Sequence, residues 1–216
     1  AAAARSKVQA QLLERQAAEA QLRALQAQIE PHFLFNTLAT VVSLIDYDAP
    51  KAKAMLEAFI DYLRATLSGS RRGQATVGDE LELVERYLQL LAIRMGPRLR
   101  VSITADATAR AQPLPPLTLQ PLVENAVQHG IEPLVGDGDI HISAQYDELG
   151  TLTLSVHDTG VGLGAAPPTR RGAGVALQNI RERLAAHYGT RAQLRLEAVQ
   201  PHGTLATLTI SAEAHA

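Results

Sequence analysis

The chain contains no cysteine, which excludes disulfides and thiolate metal sites and fits a reducing compartment. No apolar run approaches the roughly 18 to 20 residues that would cross a bilayer. There is no long Lys/Arg block, and the formal net charge is -2, so no clustered positive surface for a nucleic-acid backbone is expected. The chain opens at Ala1, with neither a Met nor a signal-peptide pattern, and is read as a fragment whose upstream portion is not shown. No internal repeat is visible. What remains is a chain of 216 residues that is 46% hydrophobic, enough to bury one large or two small cores.

From Ser6 to about Ile29 the sequence is rich in Ala, Gln, Leu, Glu and Arg without Gly or Pro, which favours an uninterrupted helix. Leu22, Leu25 and Ile29 step by three and four along one face. Pro31 removes one backbone donor and is expected to kink the helix. His32 then falls at the edge of the same stripe, with Asn36 one turn further on. A second helical pattern covers about 50–67, with Ala54, Met55, Ala58, Phe59, Tyr62, Leu63 and Leu67 as apolar positions. Two such helices form a hairpin too small to bury both stripes, so pairing into a dimeric four-helix bundle is expected.

Residues 70–78 have linker composition. Beyond them Asp79-Glu80 opens a helix ending near Gly96, and Leu99, Val101 and Ile103 alternate as a strand. A helix is predicted from Leu117 to His129 with Gly130 as its stop. Alternation returns at Ile140 to Tyr146, Leu152 to Val156, Leu194 to Val199 and Leu205 to Ile210, with a helix through about His187 between them. This order predicts an α+β chain: a helical hairpin (1–70), then a mixed sheet covered by helices on one face (77–216).

In the helix before Gly130, Leu119, Leu122, Val123, Ala126 and Val127 form the buried face. Asn125 and His129, at i and i+4, are expected to project together. An amide oxygen is a hard donor suited to Mg²⁺, and the neighbouring Glu124 can orient a water or a second group. Asp158 ends an apolar strand and precedes Gly160 and Gly162, placed for close backbone approach to a ligand. Its carboxylate can accept from an exocyclic amine such as that of adenine. Gly172 and Gly174 lead directly into a helix N-terminus, where backbone N–H groups can meet phosphate. Each feature alone has a plain structural reading: a polar helix edge, a turn, a loop. Their order after His32 points to phosphoryl transfer.

Four stretches, Gln28 to Asn36, Glu124 to Gly130, Asp158 to Gly162 and Gly172 to Asn179, resemble the H, N, G1 and G2 boxes of LytS-type sensor histidine kinases. The resemblance runs from about Leu22 to Ile210 and includes Tyr87 to Leu99. It implies a dimerisation and phosphoacceptor hairpin followed by a Bergerat-type ATP-binding sandwich. It makes His32 the phosphoacceptor, Asn125 a Mg²⁺ ligand, Asp158 the adenine reader, and Gly160, Gly162, Gly172 and Gly174 nucleotide-loop glycines, with His129, Leu177 and Asn179 as further nucleotide-site positions. It also implies a homodimer, a response regulator often carrying a LytTR DNA-binding domain, and a cytoplasmic catalytic part whose sensor lies in a membrane upstream.

Two positions depart from the pattern: Ala176 stands where a third glycine is usual, and Gln128 where Lys is frequent. The lost charge predicts weaker triphosphate binding, with Arg170 and Arg171, or Arg181 and Arg183, as substitutes. Phe33 follows the acceptor, so the base is either Glu30 or a group of the ATP domain. Alternatives are a nucleotide-binding pseudokinase, or a phosphatase-dominant module with Asn36 orienting water. The remaining histidines, His141, His157, His187, His202 and His215, show no metal-ligand spacing.

Overall fold

The computed structural model describes residues 31–69, 74–163 and 173–212, with the side chains of 31, 32, 68, 69 and 173–176 left aside. The predicted helix from Ser6 to Ile29, its stripe at Leu22, Leu25 and Ile29, Glu30, His215 and the loop holding Arg170, Arg171 and Gly172 lie outside the described residues. The chain divides into two compact units, Ala1–Glu57 and Ala58–Ala216.

The first described helix, α1, covers Pro31–Ile45. Phe33, Thr37 and Val41 are buried at successive steps of four, whereas Phe35, Leu38, Val42 and Ile45 are exposed at steps of three, four and three. After a short turn the Asp48 carboxylate accepts the Lys51 amide at 3.0 Å, a side-chain cap for α2 (Ala49–Gly69). Along α2, Ala52, Met55, Phe59, Tyr62 and Thr66 are buried in steps of three and four, while Leu56 and Ile60 are exposed. Each helix thus carries one covered and one open apolar stripe. Of the positions expected to need a partner, Phe59 is already covered and Ala54 is exposed.

A two-residue strand β1 (Ala75–Thr76) leads into α3 (Val77–Met95). The linker is therefore shorter than its composition implied. Thr76 and Asp79 form a reciprocal capping box, with the Thr76 hydroxyl accepting the Asp79 amide at 3.1 Å and Asp79 accepting the Thr76 amide at 2.8 Å. Strand β2 (Leu99–Ala105), helix α4 (Ala107–Arg110) and β3 (Pro113–Leu114) follow, β3 pairing antiparallel with β1.

The predicted helix from Leu117 to His129 is corrected in two ways. Helix α5 spans only Gln120–Asn125 and passes into a π turn, Ala126–Ile131, so Gly130 lies inside the turn and does not end it. Before α5, Leu117 sits at φ 58, a left-handed conformation unusual for a side-chain-bearing residue. Glu80 holds it: one carboxylate accepts the backbone amides of Leu117, Thr118 and Leu119 at 2.7, 2.8 and 2.9 Å.

Strands β4 (Gly138–Tyr146), β5 (Leu152–Asp158), β6 (Ala192–Ala198) and β7 (Thr204–Ile210), with α6 (Ala173–Tyr188) between β5 and β6, complete the second unit. The five-stranded order is β2-β4-β5-β7-β6; β2 and β4 are parallel and every other pair antiparallel. Ile140, Ile142, Leu154, Val156, Ala206 and Leu208 supply the buried face. Each fully buried aliphatic chain contributes about 1.5 to 3 kcal/mol. The opposite face is polar, and on it His141 stacks on its register partner His157.

Candidate functional site

Asp158, the last residue of β5, is buried at 2% exposure. Burial pushes its carboxyl above the ordinary range, while the Gly160 amide, the charge of His157 and Thr204 pull it back. The Gly160 amide donates to Asp158 Oδ1 at 2.9 Å. Against this carboxyl lies Gly130: a Cβ added there would stand 2.8 Å from the Asp158 carboxyl carbon. A Cβ on Gly160 would in turn run into the Gly130 backbone. The Val161 amide donates to the Gly130 carbonyl at 3.1 Å. Gly130 and Gly160 therefore bring two backbones into contact around one buried acid, which no side-chain-bearing residue permits. Gly162, at φ 87, turns the loop onward.

Several groups shaping this corner escaped the sequence reading. Thr204 is the register partner of Asp158 and bonds its carboxyl. His202, which the sequence set apart only as lacking metal-ligand spacing, places Nδ1 3.0 Å from both the Thr159 and Gly160 carbonyls, so its ring N–H clamps the loop. Nothing in a single sequence joins residue 202 to residue 159. Gly130 was visible but read as a helix stop, because its constraint comes from a segment about thirty residues away.

Asn125 ends α5 and His129 lies within the π turn, both half-buried. Bonds there run over five residues, as from the Glu132 amide to the Val127 carbonyl at 2.8 Å, so the two are not one α-helical turn apart as expected. π turns inserted in helices are frequent at functional sites. Glu124 accepts a hydrogen bond from the Gln120 side chain at 2.7 Å. Gly174 falls in the first turn of α6, Leu177 is half-buried and Asn179 exposed on the same helix. Arg183, a proposed substitute cation, is instead committed: it donates to the Leu117 carbonyl and faces Glu80. Arg181 remains exposed. His32 and Asn36 are residues of α1, Asn36 exposed. Among the described residues no group of three metal-ligating side chains is present, and no helix is long and apolar enough to cross a membrane.

A buried carboxylate beside side-chain-free backbone is suited to a flat ligand that donates one N–H. The family comparisons agree with that chemistry. Residues 20–99 match the model described as histidine kinase, and residues 115–214 match that of the histidine kinase-, DNA gyrase B- and HSP90-like ATPases. The chain belongs to the histidine kinase family.

Among curated relatives, this histidine kinase chain is 33% identical to the sensor protein LytS of Staphylococcus haemolyticus over 89% of its length and 34% of the relative's. It is also 33% identical to the sensor histidine kinase YesM of Bacillus subtilis, over 89% of the chain and 33% of the relative. The chain thus spans about a third of the length of these relatives. Of solved structures, the histidine kinase domain of the Erythrobacter litoralis EL346 blue-light activated histidine kinase covers 88% of the chain and 92% of its own, at 18% identity and a TM-score of 0.49. The α+β organisation and the LytS-type resemblance both hold.

Proposed function

We propose that this chain is the catalytic part of a two-component sensor kinase that binds ATP with Mg²⁺, phosphorylates His32 and passes the phosphoryl group to an aspartate of a response regulator. The observation that carries the reading is the cradle at Gly130, Asp158 and Gly160. Its buried acid accepts the adenine amine, and the glycine contacts leave room for the ring. Asn125 supplies an oxygen to Mg²⁺, which when bound neutralises triphosphate charge. Gly162, Gly172 and Gly174 bring backbone N–H groups to phosphate, with His129, Leu177 and Asn179 bordering the nucleotide.

In the reaction a neutral ring nitrogen of His32 bonds to the γ-phosphorus as the bond to the β–γ bridging oxygen breaks and ADP departs. The ring proton goes to a carboxylate base, a role assigned in this reading to Glu124 of the ATPase unit. Positioning and charge neutralisation do most of the catalysis. The N–P bond then breaks as a carboxylate oxygen of the regulator takes the phosphoryl group. Asn36, four residues after His32 and exposed, orients water in the reverse, dephosphorylating direction on this reading.

The working form is a homodimer. Phe35, Leu38, Val42 and Ile45 on α1, and Leu56 and Ile60 on α2, form open stripes with the three-and-four spacing of a bundle seam. A second copy offers the same stripes, and a four-helix bundle covers them. The full-length protein is read as membrane-anchored upstream, with a regulator of the LytTR type.

Calorimetric titration with ATP, with and without Mg²⁺, tests the site. Asp158→Asn loses adenine discrimination, since an amide can present a donor to a donor, and Asn125→Ala loses mainly the Mg²⁺ dependence. Equal ATP affinity in native protein and both variants removes these assignments.

A further inference from the structure

Gln120 opens α5 and is 2% exposed. Its amide nitrogen lies 2.6 Å from the Tyr62 hydroxyl on α2 and 2.7 Å from Glu124 Oε1, one turn along α5. A carboxylate only accepts, so the amide nitrogen must face Glu124, and its second N–H is the one given to the phenol oxygen. This orientation leaves Gln120 Oε1 buried without a hydrogen-bond partner among the described residues, at a cost of about 1 to 3 kcal/mol. An apolar side chain of similar length would fill the space without that cost. Tyr62 is held at the other end: it is 1% exposed and its ring centroid is 5.7 Å from that of Tyr87.

We propose that Tyr62 and Gln120 are positioning residues that fix the Glu124 carboxylate from α2, the second helix of the acceptor hairpin, so that a shift or rotation of α2 is transmitted to the acid beside Asn125. The functional consequence rests on the kinase reading above; the relay itself rests on the three side chains. A change in α2 register that withdraws the phenol frees the Gln120 amide to turn, and Glu124 loses its fixed donor. The hairpin thereby adjusts the phosphoryl-transfer step without altering the Asp158 corner that reads adenine.

The test uses the full chain in native form and as Tyr62→Phe, Gln120→Leu and the double variant. Tyr62→Phe keeps the ring packed on Tyr87 and removes the hydroxyl that accepts from Gln120 and also meets the Thr66 side chain. Two readouts are taken: autophosphorylation kinetics, and the carboxyl carbon resonance of Glu124 in ¹³C-glutamate-labelled protein, assigned by its loss in Glu124→Gln. The relay predicts that Tyr62→Phe lowers kcat about three- to tenfold, the worth of one hydrogen bond, with KM for ATP within about twofold. It also moves the Glu124 resonance. In the Gln120→Leu background, Tyr62→Phe moves neither kcat nor the resonance further. Multiplying kinetic effects, or a Glu124 resonance indifferent to Tyr62→Phe, overturns the relay. Failure of the kinase reading looks different: the Glu124 resonance responds as described, yet the native chain incorporates no phosphate.

Discussion

On α1 the side chains of Phe35 and Val42 are 67% and 65% exposed, whereas on α3 Leu81 and Val84 are at 0%. Both helices are amphipathic, but α3 is covered within its own unit and α1 leaves a whole stripe open. The second unit closes its own core with five strands and several helices. The first unit presents surface that one copy of the described chain does not cover. On the proposed function, the unit that would carry the phosphoacceptor is the one with an open apolar stripe, and the unit that would hold the nucleotide is the one with a closed core.

The sharpest way to break this contrast is to charge the open stripe. Phe35→Asp with Val42→Asp alters both copies of a symmetric seam, and at least about a thousandfold weaker dimerisation is expected from the lost burial of four side chains. Light scattering against concentration measures it, and an unchanged dimer would place the interface elsewhere. The same variant should leave the melting of the second unit nearly untouched.

The closed unit has its own weak point at Glu80. Glu80→Ala strips three backbone amides of their acceptor, releases the φ 58 turn at Leu117 and leaves the half-buried Arg183 without its facing carboxylate. A loss of about 3 to 5 kcal/mol in denaturant unfolding is expected. A loss under about 1 kcal/mol would mean that the turn is held by other contacts.

How far the closed unit extends can also be measured. A fragment from residue 58 keeps Tyr62 on Tyr87 and Gln120, and one from residue 77 does not. The shorter fragment should be less stable by at least about 2 kcal/mol, the scale of removing a buried aromatic. Equal stabilities would put the boundary back at the linker and outside α2.

Much of this was legible in the sequence. Strands β4, β5 and β7 followed the period-two alternation of their apolar residues, because there one face of the sheet is buried and the other is not, whereas on the edge strand β2 the sequence alternates but Val101 is exposed. The apolar face at Leu119, Leu122, Val123, Ala126 and Val127 was read correctly for the same reason. What escaped depends on contacts between distant segments. Position 130 must be glycine because Asp158 and Gly160 press against it, a contact between segments about thirty residues apart. The β1–β3 pair is only two residues long, too short for a period. Glu80 reads as a helix-opening acid until the turn it holds is known. The Thr76-to-Asp79 capping pattern was the one local signal left unused, and it would have ended the linker at Ala75.

A smaller effect concerns pH. Burial raises the Asp158 carboxyl in the folded state, so the folded chain holds a proton at pH values where the unfolded chain has released it, and stability falls as pH rises through that window. Asp158→Asn should therefore be more stable than the native chain at neutral pH without nucleotide, the gap closing as pH drops below the ordinary Asp range. Thermal melts across that range check the sign, and a variant less stable at pH 7 would contradict it.

The central claim is that the acid corner of the closed unit serves His32 of the open one. Incubation with γ-labelled ATP, comparing the native chain with His32→Gln and Asp158→Asn, tests it most directly. The account predicts acid-labile label on the native chain, none on His32→Gln despite nearly native ATP binding, and little on Asp158→Asn. Undiminished label on His32→Gln would contradict it.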